Sequence, residues 1–216
     1  MKEVKSKKIA ELLLEIKAVF LRPKEPFTWA SGIKSPIYCD NRVILSHPDV
    51  RKEVEAALAK MVTEKYPGCE LLAGTSTAGI AHAALVADIL GMPMVYVRGS
   101  KKDHGRENLI EGRVKSGQSA VVIEDLISTA GSALCVVNVL RDAEVNVLGI
   151  ASIFTYGLKK GLDAMAEADV TNFSLLDYDA LIEVALTKKF ISAGDVKGLR
   201  AFRDDPQSSN WQNFLE

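Results

Sequence analysis

Strand-like and helix-like segments alternate along most of this chain, beginning directly after Pro67 and Gly68. The strand patterns are ELLAGTS, MPMVYVR, QSAVVIED, NVLGIASIFTY and TNFSLLD, and the helix patterns are GIAHAALVADIL, SALCVVNVLRDA and LKKGLDAMAEA. Strands separated by helices of this length indicate βαβ units, whose strands are parallel. We therefore predict an α/β fold with a mostly parallel, twisted sheet flanked by helices.

The segment before this alternation contains shorter elements. Helical spacing of apolar residues runs from about Lys5 to Phe20, and FTWASGIKSPIYCDNRVI favours short strands joined by a turn at Ser31 and Gly32. A further helix is predicted from Ser46 to about Lys65. Charged residues interrupt the apolar residues of the first helix, which is typical of an amphipathic helix rather than a signal peptide.

Length and composition narrow the class of protein. The 216 residues suit a single domain, 1–216, and 48% of them are hydrophobic. A net charge of −1 gives no basic field for binding nucleic acid, and no apolar run reaches the roughly 20 residues that a membrane-spanning helix needs. Cys39, Cys69 and Cys135 are few and widely spaced, which predicts a cytoplasmic protein without a disulfide framework or a zinc site.

Two acidic residues, Glu124 and Asp125, end the apolar strand pattern in AVVIEDLISTAGSAL. Side chains alternate along a strand, so one of the two would face the packed side of the sheet if the strand continued. Because an unpaired charge there costs free energy, we predict that the strand ends at the acids. The pair then lies at the carboxyl end of a strand, where open α/β sheets bind ligands.

Small and hydroxylated residues, 128–132, follow the acids and precede a predicted helix. Unpaired N–H groups and the dipole of a helix N-terminus attract anions, so this turn suits a phosphate group. The acids upstream suit the hydroxyl groups of a sugar, and the two halves together favour a ribose phosphate. The alternative is an ordinary turn with a Ser or Thr helix cap and two solvated acids.

A long polar segment, RGSKKDHGRENLIEGRVKSG, separates two of the predicted strands. Between Arg98 and Lys115 it holds six basic and three acidic residues, a balance of +3. Segments of this length without secondary structure are usually functional or disordered. The alternative to a functional loop is a solvated, mixed-charge surface loop.

Two common nucleotide-binding motifs do not fit the sequence. GTSTAG has the glycine spacing of a P-loop, but Ile80 and Ala81 stand where Lys and Ser or Thr are required. No G-x-G-x-x-G follows a predicted strand, so a dinucleotide-binding fingerprint is missing as well.

Three segments together resemble a known family. VVIEDLISTAGSA resembles the phosphoribosyl pyrophosphate (PRPP) motif of type I phosphoribosyltransferases, while FTWASGIKSPIYCDNR and VRGSKKDHG resemble the substrate segment and the mobile catalytic loop of orotate phosphoribosyltransferases. The resemblance implies the type I phosphoribosyltransferase fold, with a small hood formed by residues from about 1 to 45 and by the C-terminal segment. It also implies Mg²⁺-dependent transfer of the phosphoribosyl group from PRPP to orotate, which yields orotidine 5′-monophosphate and pyrophosphate in de novo pyrimidine biosynthesis.

The resemblance implies roles for individual residues. Lys102 and Asp125 are the expected catalytic residues. Lys34, Tyr38 and Arg42 lie in the segment that borders the expected orotate pocket, and Ser128 is an expected contact to orotate. The expected PRPP-binding residues are Arg98, Lys102, His104, Glu124, Asp125, Leu126, Ile127, Ser128, Thr129, Ala130, Gly131 and Ser132.

Four positions depart from the family pattern. Some members carry cations where this chain has Ala30, Ala78, Gly99 and Gly157. The departures leave open how the carboxylate of orotate is held, and Lys34 or backbone amides are the candidates.

The resemblance also implies a cofactor and an assembly. Mg²⁺ is expected to be bound mainly through PRPP, because the sequence shows no carboxylate cage of the kind that holds a metal. A loop that serves a neighbouring site implies a homodimer with shared active sites. Two alternative functions remain: a transferase acting on a purine base, and a PRPP-sensing regulator of the same fold.

Overall fold

The computed structural model describes residues 2–29, 32–99 and 109–215. Its α-helices are α1 (Lys2–Glu15), α2 (Pro48–Lys65), α3 (Ala78–Leu90), α4 (Gly131–Asp142), α5 (Lys159–Glu167), α6 (Tyr178–Thr187) and α7 (Ala193–Asp204). Its strands are β1 (Val19–Leu21), β2 (Phe27–Thr28), β3 (Lys34–Ser35), β4 (Ile37–Cys39), β5 (Leu71–Thr75), β6 (Met94–Val97), β7 (Ile110–Glu111), β8 (Ser119–Ile127), β9 (Asn146–Thr155) and β10 (Asn172–Asp177). Within these ranges, no helix is both long and apolar enough to cross a membrane.

Six strands form the central sheet in the order β10-β9-β8-β5-β6-β7. Every neighbouring pair is parallel except β6 and β7, which are antiparallel. Helices connect the parallel strands, as the alternating sequence patterns require. The predicted α/β fold with a mostly parallel sheet is confirmed.

Both faces of the sheet are covered, which explains the continuous apolar runs of its central strands. Alternate residues of β5 and β8 pack on opposite sides. Leu72 and Ile123 belong to the core that includes α1, α2 and α3, whereas Ala73 and Val122 belong to the core under α4 and α5. The two cores hold the carboxyl ends of these strands in fixed register.

The first helix is shorter than predicted. α1 ends at Glu15 because Lys17 adopts a left-handed conformation with a φ of 57°. The N–H groups of Lys17 and Ala18 donate to carbonyls of the last helical turn at 3.1 and 2.9 Å, which caps the helix. Phe20 therefore lies in β1, which pairs antiparallel with β4.

Residues 19–46, whose described part contains four short strands and a 3₁₀ helix, belong to the expected hood, and we use the word hood for these residues alone. β2 and β3 pair antiparallel, and Gly32 between them has a φ of 84°, as a turn at this point requires. A 3₁₀ helix over Asn41–Ser46 then leads into α2, which begins at Pro48 rather than at Ser46. The proline suits this first helical position because its missing N–H would be unpaired there anyway.

The C-terminal segment packs onto the hood, through elements that the sequence patterns do not predict. α7 is followed by a 3₁₀ helix over Ser209–Phe214, and Trp211 of this helix is buried against Phe202. Trp29 of the hood stacks edge-on against Phe202 and against Tyr156, which follows β9. Aromatic contacts thus join the hood, the C-terminal segment and the end of the sheet.

Part of the long polar segment is a strand. β7 pairs antiparallel with β6, and the N–H of Arg98 donates to the carbonyl of Leu109 at 2.9 Å. The start of the segment is therefore held against its middle, residues 109–111, at the edge of the sheet.

Candidate active site

A cavity of about 330 Å³, which we call the acid cavity, opens at the carboxyl ends of β5 and β8. From β5 the chain continues to β6 on one side, and from β8 it continues to β9 on the other. Open α/β sheets bind ligands where the connections diverge in this way, because the diverging turns leave a crevice. The cavity is lined by Cys39, Asp40, Arg42, Ser76, Thr77, Ala78, Glu124, Asp125, Leu126 and Ser132.

The strand that carries the acid pair does not end at the acids, contrary to the prediction. β8 continues through Glu124 and Asp125 to Ile127 and pairs with β9 along this stretch. On its other side, β8 pairs with β5 only as far as Ile123. At the acids, β8 is therefore paired with β9 but no longer with β5. The unpaired side of β8 faces the crevice.

Glu124 is buried, with 5% of its surface exposed. Its carboxyl group accepts a hydrogen bond from a residue that is distant in the sequence. The hydroxyl of Thr75 donates to its Oε1 at 2.7 Å, and the N–H of Asp125 donates to the same oxygen at 3.0 Å. Burial, followed by the interaction with the Asp125 side chain, raises the pKa of Glu124 to about 8. A hydrogen-bonded carboxyl that keeps its proton avoids the cost of an unpaired buried charge, which explains why the strand can continue.

The hood forms one wall of the acid cavity. The amide of Asn41, which is fully buried, donates to the backbone carbonyl of Asp125 at 2.7 Å, and the thiol of Cys39 donates to Asn41 Oδ1 at 3.4 Å. Beside it, Arg42 donates to the carboxylate of Asp40 from Nε at 2.6 Å and from Nη2 at 2.9 Å. The bond from Asn41 to Asp125 fixes the hood against the strand that carries the acids, and the other contacts hold the hood residues in place.

Two turns with the same sequence follow β5 and β8, the strands whose ends form the cavity. The first turn, Ser76–Gly79, follows β5, the second turn, Ser128–Gly131, follows β8, and both read Ser-Thr-Ala-Gly. Although the first turn is not a P-loop, its residues 76–78 line the cavity. This turn is not among the predicted site residues, and the repetition of its sequence after a neighbouring strand is the signal that identifies it.

The second turn presents exposed backbone at the start of α4. Ala130 has a φ of 64°, and α4 begins at the next residue. Thr129, Gly131 and Ser132 are exposed, whereas Ile127 is buried in the core. Unpaired N–H groups at an exposed helix N-terminus suit a phosphate, as the sequence predicts.

The predicted residues of the polar segment are only partly described. Arg98 directly follows β6, and its Nη1 lies 3.8 Å from Oε1 of Glu111. Lys102 and His104 lie outside the described residues, as does Ala30 of the hood.

Lys34 and Tyr38, predicted from the hood sequence, do not line the acid cavity. Nζ of Lys34 donates to the hydroxyl of Thr28 at 2.7 Å, and this lysine lines a groove shared with the C-terminal segment. Tyr38 is 40% exposed and lies in a separate aromatic groove with Phe20 and Phe27. The structure therefore brings Glu124, Asp125, Leu126 and Ser132 together but places these two residues in neighbouring grooves.

Curated relatives resemble this chain over nearly its whole length, although no protein-family model matches it. It is 56% identical over 203 residues to the orotate phosphoribosyltransferase of Bacillus subtilis (strain 168), covering 94% of each chain. It is 53% identical over 205 residues to the orotate phosphoribosyltransferase of Bacillus cereus (strain ATCC 10987 / NRS 248), covering 95% of this chain and 98% of that one.

Solved structures share the fold. The TM-score is 0.79 with the UMP synthase of Leishmania donovani, at 23% identity, covering 92% of this chain and 42% of that chain. It is 0.69 with the orotate phosphoribosyltransferase of Aeropyrum pernix, at 24% identity, covering 81% of this chain and 97% of that chain. The expected type I phosphoribosyltransferase fold is thereby confirmed.

Proposed function

The chain belongs to the orotate phosphoribosyltransferase family, and from this premise we propose how its residues carry out the reaction. It is an enzyme that transfers the phosphoribosyl group of PRPP to orotate in pyrimidine biosynthesis. The relatives favour this activity over the two alternatives, a purine-base transferase and a PRPP-sensing regulator.

The acid cavity is the proposed site for the ribose of PRPP. The observation that carries this proposal is the acid pair at the point where β8 has lost its neighbour, between two helix N-termini. The carboxylate of Asp125 accepts hydrogen bonds from ribose hydroxyls, and the neutral carboxyl group of Glu124 can accept through an oxygen or donate its proton. When pyrophosphate leaves, positive charge develops on the ribose ring, and the carboxylate of Asp125 would stabilise it, which is its proposed catalytic role.

The second turn is the proposed site for the 5-phosphate. Residues 126–132 lead from the acid pair into α4, so a phosphate on the ribose would meet exposed N–H groups and the hydroxyls of Thr129 and Ser132. Ser128, where this turn begins, is the proposed contact to orotate. Lys34 and Tyr38 are proposed to border orotate from the hood.

The leaving pyrophosphate is proposed to meet the first turn and the basic segment. Residues 76–78 line the acid cavity after β5, across from the acid pair's strand. Arg98, Lys102 and His104 are proposed to engage the pyrophosphate oxygens, with Lys102 as a catalytic residue. Cations aimed at a leaving group stabilise the transition state more than the ground state, because negative charge grows there during the reaction.

Mg²⁺ is proposed to enter with PRPP. In the described ranges, no three His, Cys, Asp or Glu side chains are grouped so as to hold a metal ion. The oxygen donors of Asp125 fit a hard cation whose other ligands are phosphate oxygens, since Mg²⁺ prefers oxygen and is commonly shared with substrate phosphates. When bound, such a cation neutralises charge on the leaving group.

The assembly and the compartment are proposed as well. We propose a homodimer with shared active sites, in which the basic segment between β6 and β7 serves the neighbouring subunit. We also propose a cytoplasmic protein, because Cys39, Cys69 and Cys135 are free thiols, as a reducing compartment favours.

The reaction is tested by the loss of orotate absorbance in the presence of PRPP and Mg²⁺. Parallel reactions contain adenine, hypoxanthine or uracil in place of orotate, and a further reaction contains a chelator in place of Mg²⁺. We expect turnover with orotate and with none of the other three bases. The turnover of orotate should be lost when the chelator replaces Mg²⁺. Turnover of a purine base without turnover of orotate would contradict the proposed function.

A further inference from the structure

The acid cavity carries an excess of acidic side chains, although both proposed substrates are anions. Asp40, Glu124 and Asp125 line it, and Arg42 is the one cation among its described lining residues. An anionic group that enters such a cavity needs a cation as its partner, because a buried or half-buried charge without one is costly.

Arg42 is held in place by its neighbours. Its Nε and Nη2 donate to the two carboxylate oxygens of Asp40 at 2.6 and 2.9 Å, and its backbone N–H donates to Asp40 Oδ1 at 3.2 Å. The arginine side chain holds the pKa of Asp40 below its usual range, so the pair is charged on both sides at neutral pH. The preceding residue, Asn41, is tied to the carbonyl of Asp125 at 2.7 Å. The guanidinium is therefore fixed beside the acid pair.

Arg42 also has donors to spare. A guanidinium carries five N–H groups in a planar fork, and Asp40 accepts from two of its nitrogens. The Nη1 end has no bond to Asp40, and 65% of the Arg42 side chain is exposed at the mouth of the cavity. A pair of anionic oxygens can approach this end without displacing Asp40.

We propose that Arg42, positioned by Asp40, is a specificity residue that binds the carboxylate of orotate. The inference rests on the proposed function, because it presumes orotate as the acceptor. The same donors would suit a phosphate oxygen of PRPP, but the phosphates already have two helix N-termini at this cavity, whereas the carboxylate has none. Lys34 is proposed to border orotate, but its ammonium group donates to Thr28 and it lines a separate groove, so it does not supply the cation at the acid cavity.

The test compares Arg42→Gln with the wild type in steady-state kinetics, varying orotate and PRPP separately. Loss of a charge-assisted hydrogen bond should raise KM for orotate about 10- to 100-fold, while KM for PRPP changes less than about threefold. The binding preference for orotate over uracil, which lacks only the carboxylate, is measured as the ratio of the inhibition constant of uracil to KM for orotate, and it should fall by a similar factor. Asp40→Asn should raise KM for orotate less than Arg42→Gln does, because the arginine remains but is no longer held.

A matched control is Arg200→Gln. Arg200 is another exposed arginine paired with an aspartate, since its Nε lies 3.6 Å from Oδ1 of Asp179, and it does not line the cavity. This variant should keep both KM values and the preference over uracil. Urea unfolding of all variants establishes that they are folded, which is expected because the Arg42 side chain is 65% exposed and the Arg200 side chain is about half exposed.

The outcomes separate this inference from the proposed function. If the wild type uses orotate but Arg42→Gln keeps its KM for orotate and its preference over uracil, the inference is wrong and the proposed function stands. A rise in KM for PRPP alone would assign Arg42 to a phosphate and would also overturn the inference. Failure of the wild type to use orotate at all would instead overturn the proposed function.

Discussion

The first and second turns have the same sequence and follow neighbouring strands, yet they are packed in opposite ways. A Cβ added to Gly79 of the first turn would lie 2.3 Å from Oγ1 of Thr75 and 2.5 Å from the carbonyl oxygen of Ile123. A Cβ added to Gly131 of the second turn would have no atom within 4 Å. The glycine of the first turn is required by close packing, whereas the glycine of the second turn leaves open surface at a helix N-terminus.

The difference follows from where the two strands end. β5 stops at Thr75, so α3 starts directly over β8 and is pressed against it. β8 runs on to Ile127, beyond its last pairing with β5, so the second turn lies past the end of that neighbour. A Ser-Thr-Ala-Gly sequence therefore does not define a phosphate site by itself. The relative lengths of the strands decide which copy is open to a ligand.

The largest effect on the fold is expected from Gly79→Ala. The new methyl group would collide with the backbone of β8 and with Thr75, the residue that holds Glu124. Overpacking of this kind should lower the free energy of unfolding by about 1–3 kcal/mol or more, and activity should fall because the acid pair shifts. Urea denaturation measures the first effect and the orotate assay the second. Unchanged stability would show that α3 does not pack against Thr75 and Ile123 as tightly as these distances indicate.

A smaller effect is expected from pH, through Glu124. Its pKa of about 8 in the folded protein exceeds the ordinary value of 4.5. The folded state therefore keeps a proton that the unfolded state releases between these values, and the free energy of unfolding falls as pH rises through this window. Relative to Glu124→Gln, which is neutral throughout, the wild type should lose about 1 kcal/mol between pH 6 and 7. Urea unfolding of both proteins across this range measures the difference, and parallel curves would contradict the assigned burial of Glu124.

The smallest effect on the fold is expected from Gly131→Ala, the matched counterpart of Gly79→Ala. Since the added methyl group meets no protein atom, the free energy of unfolding should stay within about 0.5 kcal/mol of the wild type. The same methyl group would occupy the surface where the 5-phosphate approaches, so PRPP binding should weaken by about tenfold. Urea denaturation and calorimetric titration with PRPP measure the two effects. Loss of stability without loss of PRPP affinity would reverse the roles assigned to the two turns.

The sequence predicts the local part of this site and not the part made by distant residues. Patterns of residues that are adjacent in the sequence predict the acid pair, the second turn and the parallel sheet. The continuation of β8 through the acids depends on Thr75, which is 49 residues from Glu124. The hood wall depends on the bond from Asn41 to Asp125, across 84 residues. Pairings over such distances are set by packing and leave no periodic signal.

The positions of the hood residues Lys34 and Tyr38 also depend on contacts with residues that are distant in the sequence. The sequence places Lys34 and Tyr38 in the right segment, but the groove that each one lines is decided by the C-terminal 3₁₀ helix and by the aromatic side chains of the hood. The first turn, in contrast, carries a local signal, because it repeats the sequence of the second turn after a neighbouring strand.

The central claim is that the acid pair beside the second turn binds PRPP, and calorimetric titration with PRPP tests it most directly. The test protein is the double variant Glu124→Gln/Asp125→Asn. The matched control is Asp204→Asn/Asp205→Asn, which changes two consecutive acids at the end of α7 that do not line the cavity. Loss of at least one charged hydrogen bond should weaken PRPP binding at least about tenfold at pH 7, while the control binds like the wild type. Equal PRPP affinities for the wild type and a folded Glu124→Gln/Asp125→Asn variant would contradict the account.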